Sequence, residues 1–471
     1  MFSAAAAVLV LEILALRMLA PYVGLTLETS TTVIGVMLGG IAAGAAMGGQ
    51  AADRGDPREV LAWALVLGGL LAMATVPVVR LLGDALEGAQ EGAALPVAIA
   101  AFFAPACALS AVTPAVAKLQ LESLDATGSV VGRLSAWATF GALAGTFTAG
   151  FVLVPLLPTT ATVLVLGAAL VVAGLVAAVR LGGVLTRFGV GAVVGVALLC
   201  VLAPVALGER CDAESEYFCA EVEVDPDRPS GRLLVLDDID NSYVDLDDPR
   251  HLEFDYARWM APVLGRSSSV VFVGGGGFTL PRYLAAVRPG SRSRVLEVDK
   301  KLLDLARSRL GLGDVPGMSV RIGDARLTVR DEASGSADLV VGDAFSGRVV
   351  PWHLTTREFL RDVRRVLRPD GVYAMNLIDQ GRQRFARAQI ATFLDVFDHV
   401  AVAGHGAPGN DPGRGNIVVL GSERPLPGRA LPLRSRGVTV LRGDRVQSFV
   451  DGADVLRDEH APTDQLLAPR P

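Results

Sequence analysis

Along the first 208 residues the apolar side chains come in blocks of about 20, the length that crosses a hydrocarbon core of about 30 Å. From residue 220 the pattern changes to short β-branched runs alternating with longer amphipathic stretches. Seven apolar blocks fall near residues 3–24, 30–52, 59–82, 94–117, 131–154, 159–179 and 187–207. A bilayer interior offers no partner to loose backbone groups, so these blocks are expected to be helices, with Gly and Ala where neighbours approach closely. A cleaved targeting segment is the poorer reading of the first block, which carries Glu12 and Arg17 and is followed by six more. Such ionisable groups inside a span are expected to find a partner in the bundle, snorkel toward an interface or line a cavity.

In the second half, AEVEVD and GRLLVLDD, with DRPS between them, predict a small antiparallel hairpin. A strand from Val270 to Val273 then runs into Gly274, Gly275, Gly276 and Gly277, and a helix opens near Thr279 with Pro281 in its first turn. Further strand and helix signals follow through VLEVD, SVRIGDA, ADLVVGDAF and VYAMNLID. This alternation predicts an α/β Rossmann-like domain, a mostly parallel sheet covered by helices. The chain therefore divides into a transmembrane helical domain over 1–208, an α/β domain over 209–425 and a partly loosely ordered extension over 426–471.

Composition agrees with a membrane protein. Of 471 residues 51% are hydrophobic, too many for an ordinary cytosolic enzyme, and the first 208 residues hold only 8 of the 43 basic and 10 of the 49 acidic side chains. Net charge is −6 and there is no polybasic tail, which argues against nucleic acid as a partner and leaves the lipid bilayer and small molecules. Among the short loops, one side of the bundle carries Arg54, Arg58, Lys118, Arg133, Arg180 and Arg187 while the other carries only Arg80. The positive-inside rule puts the richer side and the N-terminus in the cytoplasm, and seven crossings then place the C-terminal half outside. Cytosolic supply of a nucleoside substrate favours the opposite side. Cys107 and Cys200 lie inside apolar blocks, whereas Cys211 and Cys219 are spaced to close a disulfide if that segment meets an oxidising compartment.

The chemistry concentrates at the ends of the strands. Four glycines let the backbone turn sharply against a ligand, and the next strand ends in Glu297, 23 residues after Gly274, where a carboxylate can accept both ribose hydroxyls. Asp324 and Ala325 follow the third strand, where the carboxylate can hold an adenine amine or cap the next helix. Asp343 ends the fourth strand at the carboxyl edge of the sheet, where open α/β folds bind ligands. The five histidines have no metal-ligand spacing, so no metal site is expected. His353, beside Trp352 in the loop near Asp343, can line the pocket or simply pack.

The order LVLDD, GGGG, LEVD, GDA, VVGDAFSG and LRPDG resembles the polyamine aminopropyltransferases, the spermidine synthases, and most of all the group fused to membrane helices. The resemblance covers about residues 215–425, and each motif alone is shared with class I methyltransferases. It implies transfer of an aminopropyl group from decarboxylated S-adenosylmethionine, a co-substrate and not a tightly bound cofactor, to a small-molecule amine. By the same resemblance Asp343 is the catalytic base, Glu297 the ribose ligand, and Asp324 with Ala325 the adenine-side pair. Gly274, Gly275 and Gly276 line the co-substrate, and Asn241, Tyr256 and Ser346 stand at substrate-binding positions. Two acids of the pattern are missing, at Gly277 and Ser346, which weakens the attraction for a polyvalent cation. Asp245, Asp247, Asp248, Glu253 and Asp255 can compensate or form a solvated loop. The alternatives are methyl transfer from S-adenosylmethionine, or a catalytically silent nucleoside- or polyamine-binding sensor or transporter accessory. Related soluble enzymes form dimers or tetramers, so a homo-oligomer is possible.

Overall fold

The computed structural model describes the chain apart from residues 25–26, 86–93, 122–126, 182–186, 209, 346, 348, 380–381, 407–411, 414, 427–437 and 468–471. It separates into two compact units, Met1–Cys219 and Ala220–Pro471.

Among the described residues the first unit holds seven helices long and apolar enough to cross a membrane. They are α1 (Phe2–Val23), α2 (Leu27–Arg54), α3 (Pro57–Ala85), α4 (Ala94–Gln120), α5 (Thr127–Leu156), α6 (Thr159–Leu181) and α7 (Arg187–Leu207). Each predicted block becomes one of them, with ends extended by a few residues. Single π-type turns interrupt α4 at Ile99–Phe103 and α5 at Ala149–Leu153. Leu11, Leu14, Met37, Val76 and Phe102 form part of the bundle core. A Cβ on Gly44 would collide with the backbone of Cys107, so α2 and α4 touch through a small-residue seam. The outward faces remain apolar, with Phe140, Phe147, Phe151 and Val179 exposed, the opposite of a water-soluble bundle.

Arg17 finds its carboxylate in Glu214, 3.1 Å away, and also donates to the carbonyls of Ser215 and Glu216. The second oxygen of Glu214 accepts the Thr159 N–H at 3.0 Å, satisfying a donor in the first turn of α6. Cys211 and Cys219 are joined, with Cα atoms 5.3 Å apart. The loop holding the two-residue strand β1 (Ala213–Glu214) is thus fastened to the bundle. That is why the first unit ends at Cys219, eleven residues beyond the expected boundary at 208.

The second unit opens on an antiparallel meander, β2 (Cys219–Val224), β3 (Gly231–Leu236) and β4 (Ile239–Asp245). The expected hairpin is its first two strands, and the third lies in IDNSYVD. Helix α8 (Asp255–Leu264) leads into β5 (Ser269–Val273), α9 (Thr279–Val287), β6 (Arg292–Glu297), α10 (Lys300–Arg309), β7 (Met318–Ile322), α11 (Ala325–Thr328) and β8 (Ala337–Gly342). Then come α12 (Arg357–Val366), β9 (Leu367–Asp379), α13 (Arg384–Val396), β10 (His399–Gly404), β11 (Gly415–Ser422), β12 (Thr439–Arg442), α14 (Asp444–Val450) and α15 (Thr463–Leu467). The main sheet has the order β12-β10-β11-β9-β8-β5-β6-β7. Strands β5 to β9 pair in parallel, and β10, β11 and β12 add an antiparallel edge. The chain steps outward from β5 to β7 and then returns to place β8 on the other side of β5, so a topological switch point opens beyond the carboxyl ends of β5 and β8.

Of the 426–471 extension, expected to be partly loosely ordered, the described residues include elements that join the sheet and its core. Strand β12 pairs with β10, and Leu441, Val446, Phe449, Val450 and Leu456 are buried in the same core as Phe359, Phe385 and Phe393. Its apolar residues, spread thinly among Arg and Pro, had concealed that contribution.

Candidate active site

The switch point gathers most of the chemistry. Strand β5 passes into Gly274, which takes a positive φ of 94° and approaches the loop after β8 so closely that a Cβ would lie 2.6 Å from the Asp343 carbonyl oxygen. The Asp343 N–H donates to the Val273 carbonyl at 2.9 Å, so the two strand ends are stitched together at this turn. Gly276 also has positive φ, 50°, and a Cβ there would come within 2.8 Å of Asn241 Oδ1 and 2.6 Å of Ser242 Oγ. Ser242 accepts the Gly277 N–H at 3.0 Å and donates to Asn241 at 2.8 Å, which ties the meander to the glycine turn. A side chain at Gly277 would meet Ser242 Cβ at 2.9 Å and Val244 Cγ2 at 3.1 Å. The missing acid at that position therefore coincides with a site already filled from β4.

Phe278 starts α9 from the left-handed region, φ 59°, with its ring fully buried under Gly275 and beside Glu297. A non-glycine residue held there stores about 1–3 kcal/mol of strain, which ring burial must offset.

Glu297 closes β6 beside this turn. Its Oε2 accepts the Gly275 N–H at 2.7 Å and its Oε1 the Asp299 N–H at 2.8 Å. Burial raises its pKa, opposed by those N–H groups. The carboxylate is thus a fixed acceptor at the glycine turn with lone pairs to spare. The neighbouring strand end is linked to it by the Gly323 N–H donating to the Glu297 carbonyl at 2.8 Å. There Asp324 caps α11, its Oδ1 accepting from the Arg326 N–H at 2.8 Å, while His353 Nε2 stands 3.5 Å from the same oxygen. Ala325 is buried in the core beneath. Asp324 thus caps the helix through Oδ1.

Asp343 is held from two sides. Tyr256 on α8 donates its hydroxyl to Oδ2 at 3.0 Å, and Asn376 on β9 donates Nδ2 to Oδ1 at 2.9 Å. Burial pushes the Asp343 pKa up to about 6, against the two donors, which pull it down. Burial and the adjoining carboxylate raise the Tyr256 phenol well above its ordinary value. Asn376 in turn accepts from Asn416 Nδ2 at 3.1 Å. The structure brings two of the expected residues, Asp343 and Tyr256, together with two asparagines that the sequence did not single out, which lie in strands with no motif. Ser346 falls outside the described residues.

Several carboxylates of the acidic loop are already engaged within the fold. Asp245 is buried, yet its pKa lies well below the usual range because the N–H groups of Asp248 and Asp247 and the Arg228 guanidinium overcome the cost of burial. Glu253 pairs with His251 at 3.0 Å, and Asp255 pairs with Arg258 at 2.9 Å and His405 at 2.5 Å. Among the described residues no group of three His, Cys, Asp or Glu side chains is placed to hold a metal ion.

No protein-family model matches this chain. Over 160 residues it is 29% identical to a polyamine aminopropyltransferase of Vibrio vulnificus, covering 33% of this chain and 52% of that protein. Over 188 residues it is 27% identical to a polyamine aminopropyltransferase of Chromobacterium violaceum, covering 38% of this chain and 69% of that one. The chain thus spans about half the length of the first of these relatives and about two thirds of the second. Among solved structures it is similar to a probable spermidine synthase from Corynebacterium glutamicum, with 29% identity, a TM-score of 0.48 and coverage of 52% of this chain and 95% of that one. The C-terminal portion is thus similar to polyamine aminopropyltransferases, over about a third of the chain.

Proposed function

We propose that the second unit transfers an aminopropyl group from decarboxylated S-adenosylmethionine to a small-molecule amine. The observation that carries this reading is Asp343: a carboxylate at the switch point, lifted to about 6 and aimed by Tyr256 and Asn376. A nucleophilic amine must first be neutral, and a carboxylate shifted toward neutrality is a better proton acceptor than an ordinary one. Asp343 takes the proton. The amine lone pair then attacks the methylene beside the sulfonium, the C–S bond breaks, and its electron pair leaves with sulfur as neutral methylthioadenosine. Glu297 at the glycine turn supplies the ribose acceptor, and Gly274 and Gly276 let the backbone approach the nucleoside. The test is product analysis with purified protein. Methylthioadenosine that disappears with Asp343→Asn supports the reading, S-adenosylhomocysteine supports methyl transfer instead, and nucleoside binding without either product supports a silent sensor.

The same proposal places this unit on a membrane, with its chemistry on the non-cytoplasmic side. At the bundle end that carries the 211–219 loop, each described arginine is absorbed by the fold. Arg17 binds Glu214, Arg80 donates to the carbonyls of Pro204 and Gly208, and Arg210 pairs with Asp84 at 3.6 Å while lying 4.5 Å from the Tyr22 ring centroid. The opposite end carries the larger set of basic residues, the cytoplasmic signature. The disulfide at the first end suits an oxidising compartment. Donor and amine must then reach the site from that side.

A further inference from the structure

Asn376 is fully buried on β9, opposite Val418 on β11, and Asn416 lies two residues from Val418, so the two asparagines are diagonal neighbours on one face of the sheet. An asparagine side chain presents an N–H₂ edge and a carbonyl edge, and the two orientations have opposite effects on a facing carboxylate. With Nδ2 toward Asp343, Asn376 favours the anion. With Oδ1 there, it faces a lone pair toward a lone pair unless the acid is protonated. In this structure Asn416 donates to Asn376 Oδ1 at 3.1 Å and Asn376 donates to Asp343 Oδ1 at 2.9 Å, so Asn416 occupies the carbonyl edge and leaves only the N–H₂ edge for the acid.

We propose that Asn416 is a positioning residue for Asp343: by fixing the Asn376 amide with its N–H₂ toward the carboxylate, it keeps Asp343 in its proton-accepting form. The kinetic part of this inference rests on the function proposed above, and the titration part does not. Few other ionisable groups face Asp343. Tyr256 approaches from α8, and its neighbour Asp255 is turned away to His405 and Arg258. On β9, Asp379 is turned to the Ala386 N–H, and at the glycine turn Glu297 is bound to the N–H groups of Gly275 and Asp299.

The experiment is an infrared-detected pH titration of the full-length, ligand-free protein in detergent, with the Asp343 carboxyl band assigned by its loss in Asp343→Asn. Asn416→Asp turns position 416 into an acceptor only, draws the N–H₂ edge of Asn376 away and turns its carbonyl onto Asp343. The midpoint is expected to rise by about one pH unit or more, the scale of a lost hydrogen bond to a charged group. Because Asn416→Asp also adds a charge nearby, Asn416→Leu decides the matter. It removes the donor without a charge, and the midpoint should still rise, by several tenths of a unit or more, with the acid limb of the rate profile following it. An unchanged midpoint in a folded Asn416→Leu protein overturns the proposal, whatever Asn416→Asp does. If the native protein shows no turnover, the functional reading fails and the titration still decides this one.

Discussion

Replacing Asp343 by Asn separates chemistry from binding and stability, because the amide keeps the shape and one acceptor for Tyr256 but cannot take a proton. Loss of a general base costs about 10²- to 10⁴-fold in rate, which corresponds to about 3–5 kcal/mol of barrier. Nucleoside affinity should hardly change, since the proposed sugar contact is made by Glu297. Stability should move in the opposite direction to activity. The folded pKa lies near 6 against an ordinary 3.8, so the folded state resists ionisation. That penalty is absent below the unfolded value, grows between the two and is complete above the folded one. A shift of about two units corresponds to at most about 3 kcal/mol, reduced by solvent at this partly open strand end. Asp343→Asn should therefore melt at a higher temperature than the native protein at pH 8 and at about the same temperature at pH 3, below the unfolded value. Methylthioadenosine release by mass spectrometry, nucleoside titration by calorimetry and melts at both pH values form the assay. In the native protein kcat should fall below about pH 6 in a single protonation step. Turnover in Asp343→Asn within threefold of native, or an equal stability difference at both pH values, would refute the reasoning.

Glu297→Gln should weaken binding of methylthioadenosine by about tenfold or more in calorimetry, the scale of a hydrogen bond to a charged acceptor, and an unchanged Kd would remove Glu297 from the ribose site. Phe278→Gly relieves about 1–3 kcal/mol of left-handed strain but gives up a buried ring worth about 3–5 kcal/mol, so denaturant melts should show a net loss of about 2 kcal/mol. A more stable variant would contradict the packing described for that ring. Denatured protein taken straight from cells should show two reactive thiols, Cys107 and Cys200, and four only after reduction. A reporter active only outside the cytoplasm, fused after Pro471, should be active; an active cytoplasmic reporter at the same junction would reverse the proposed sidedness.

The seven long apolar helices were legible because crossing a bilayer would demand one simple property, length of apolar run, that sequence states directly. The places of Gly274, Glu297 and Asp343 at strand ends were legible for a related reason: the strand–turn–helix spacing that exposes a residue at a sheet edge is local, whereas Tyr256, on α8, was reached only through the family resemblance. What stayed hidden depends on contacts far apart in the chain. Glu214, an unremarkable acid after the last helix, reaches Arg17 and Thr159, and that contact moved the unit boundary to Cys219. The core contribution of the 426–471 extension was hidden because Leu441 and Phe449 meet their core partners only through the antiparallel edge of the sheet.

Asn376 and Asn416 are the clearest case. Each sits in an apolar strand where a lone asparagine signals nothing, and their meaning comes from the register of β9 against β11, which carries Asn416 diagonally onto Asn376 and so onto Asp343. The order of dependence follows. The glycine turn and the β5–β8 stitch fix where the carboxylate stands, whereas the antiparallel edge added beyond β9 fixes how its proton is held. A change confined to β11, remote in sequence from every recognisable motif, should then alter the pH at which the site works while leaving its nucleoside contacts in place.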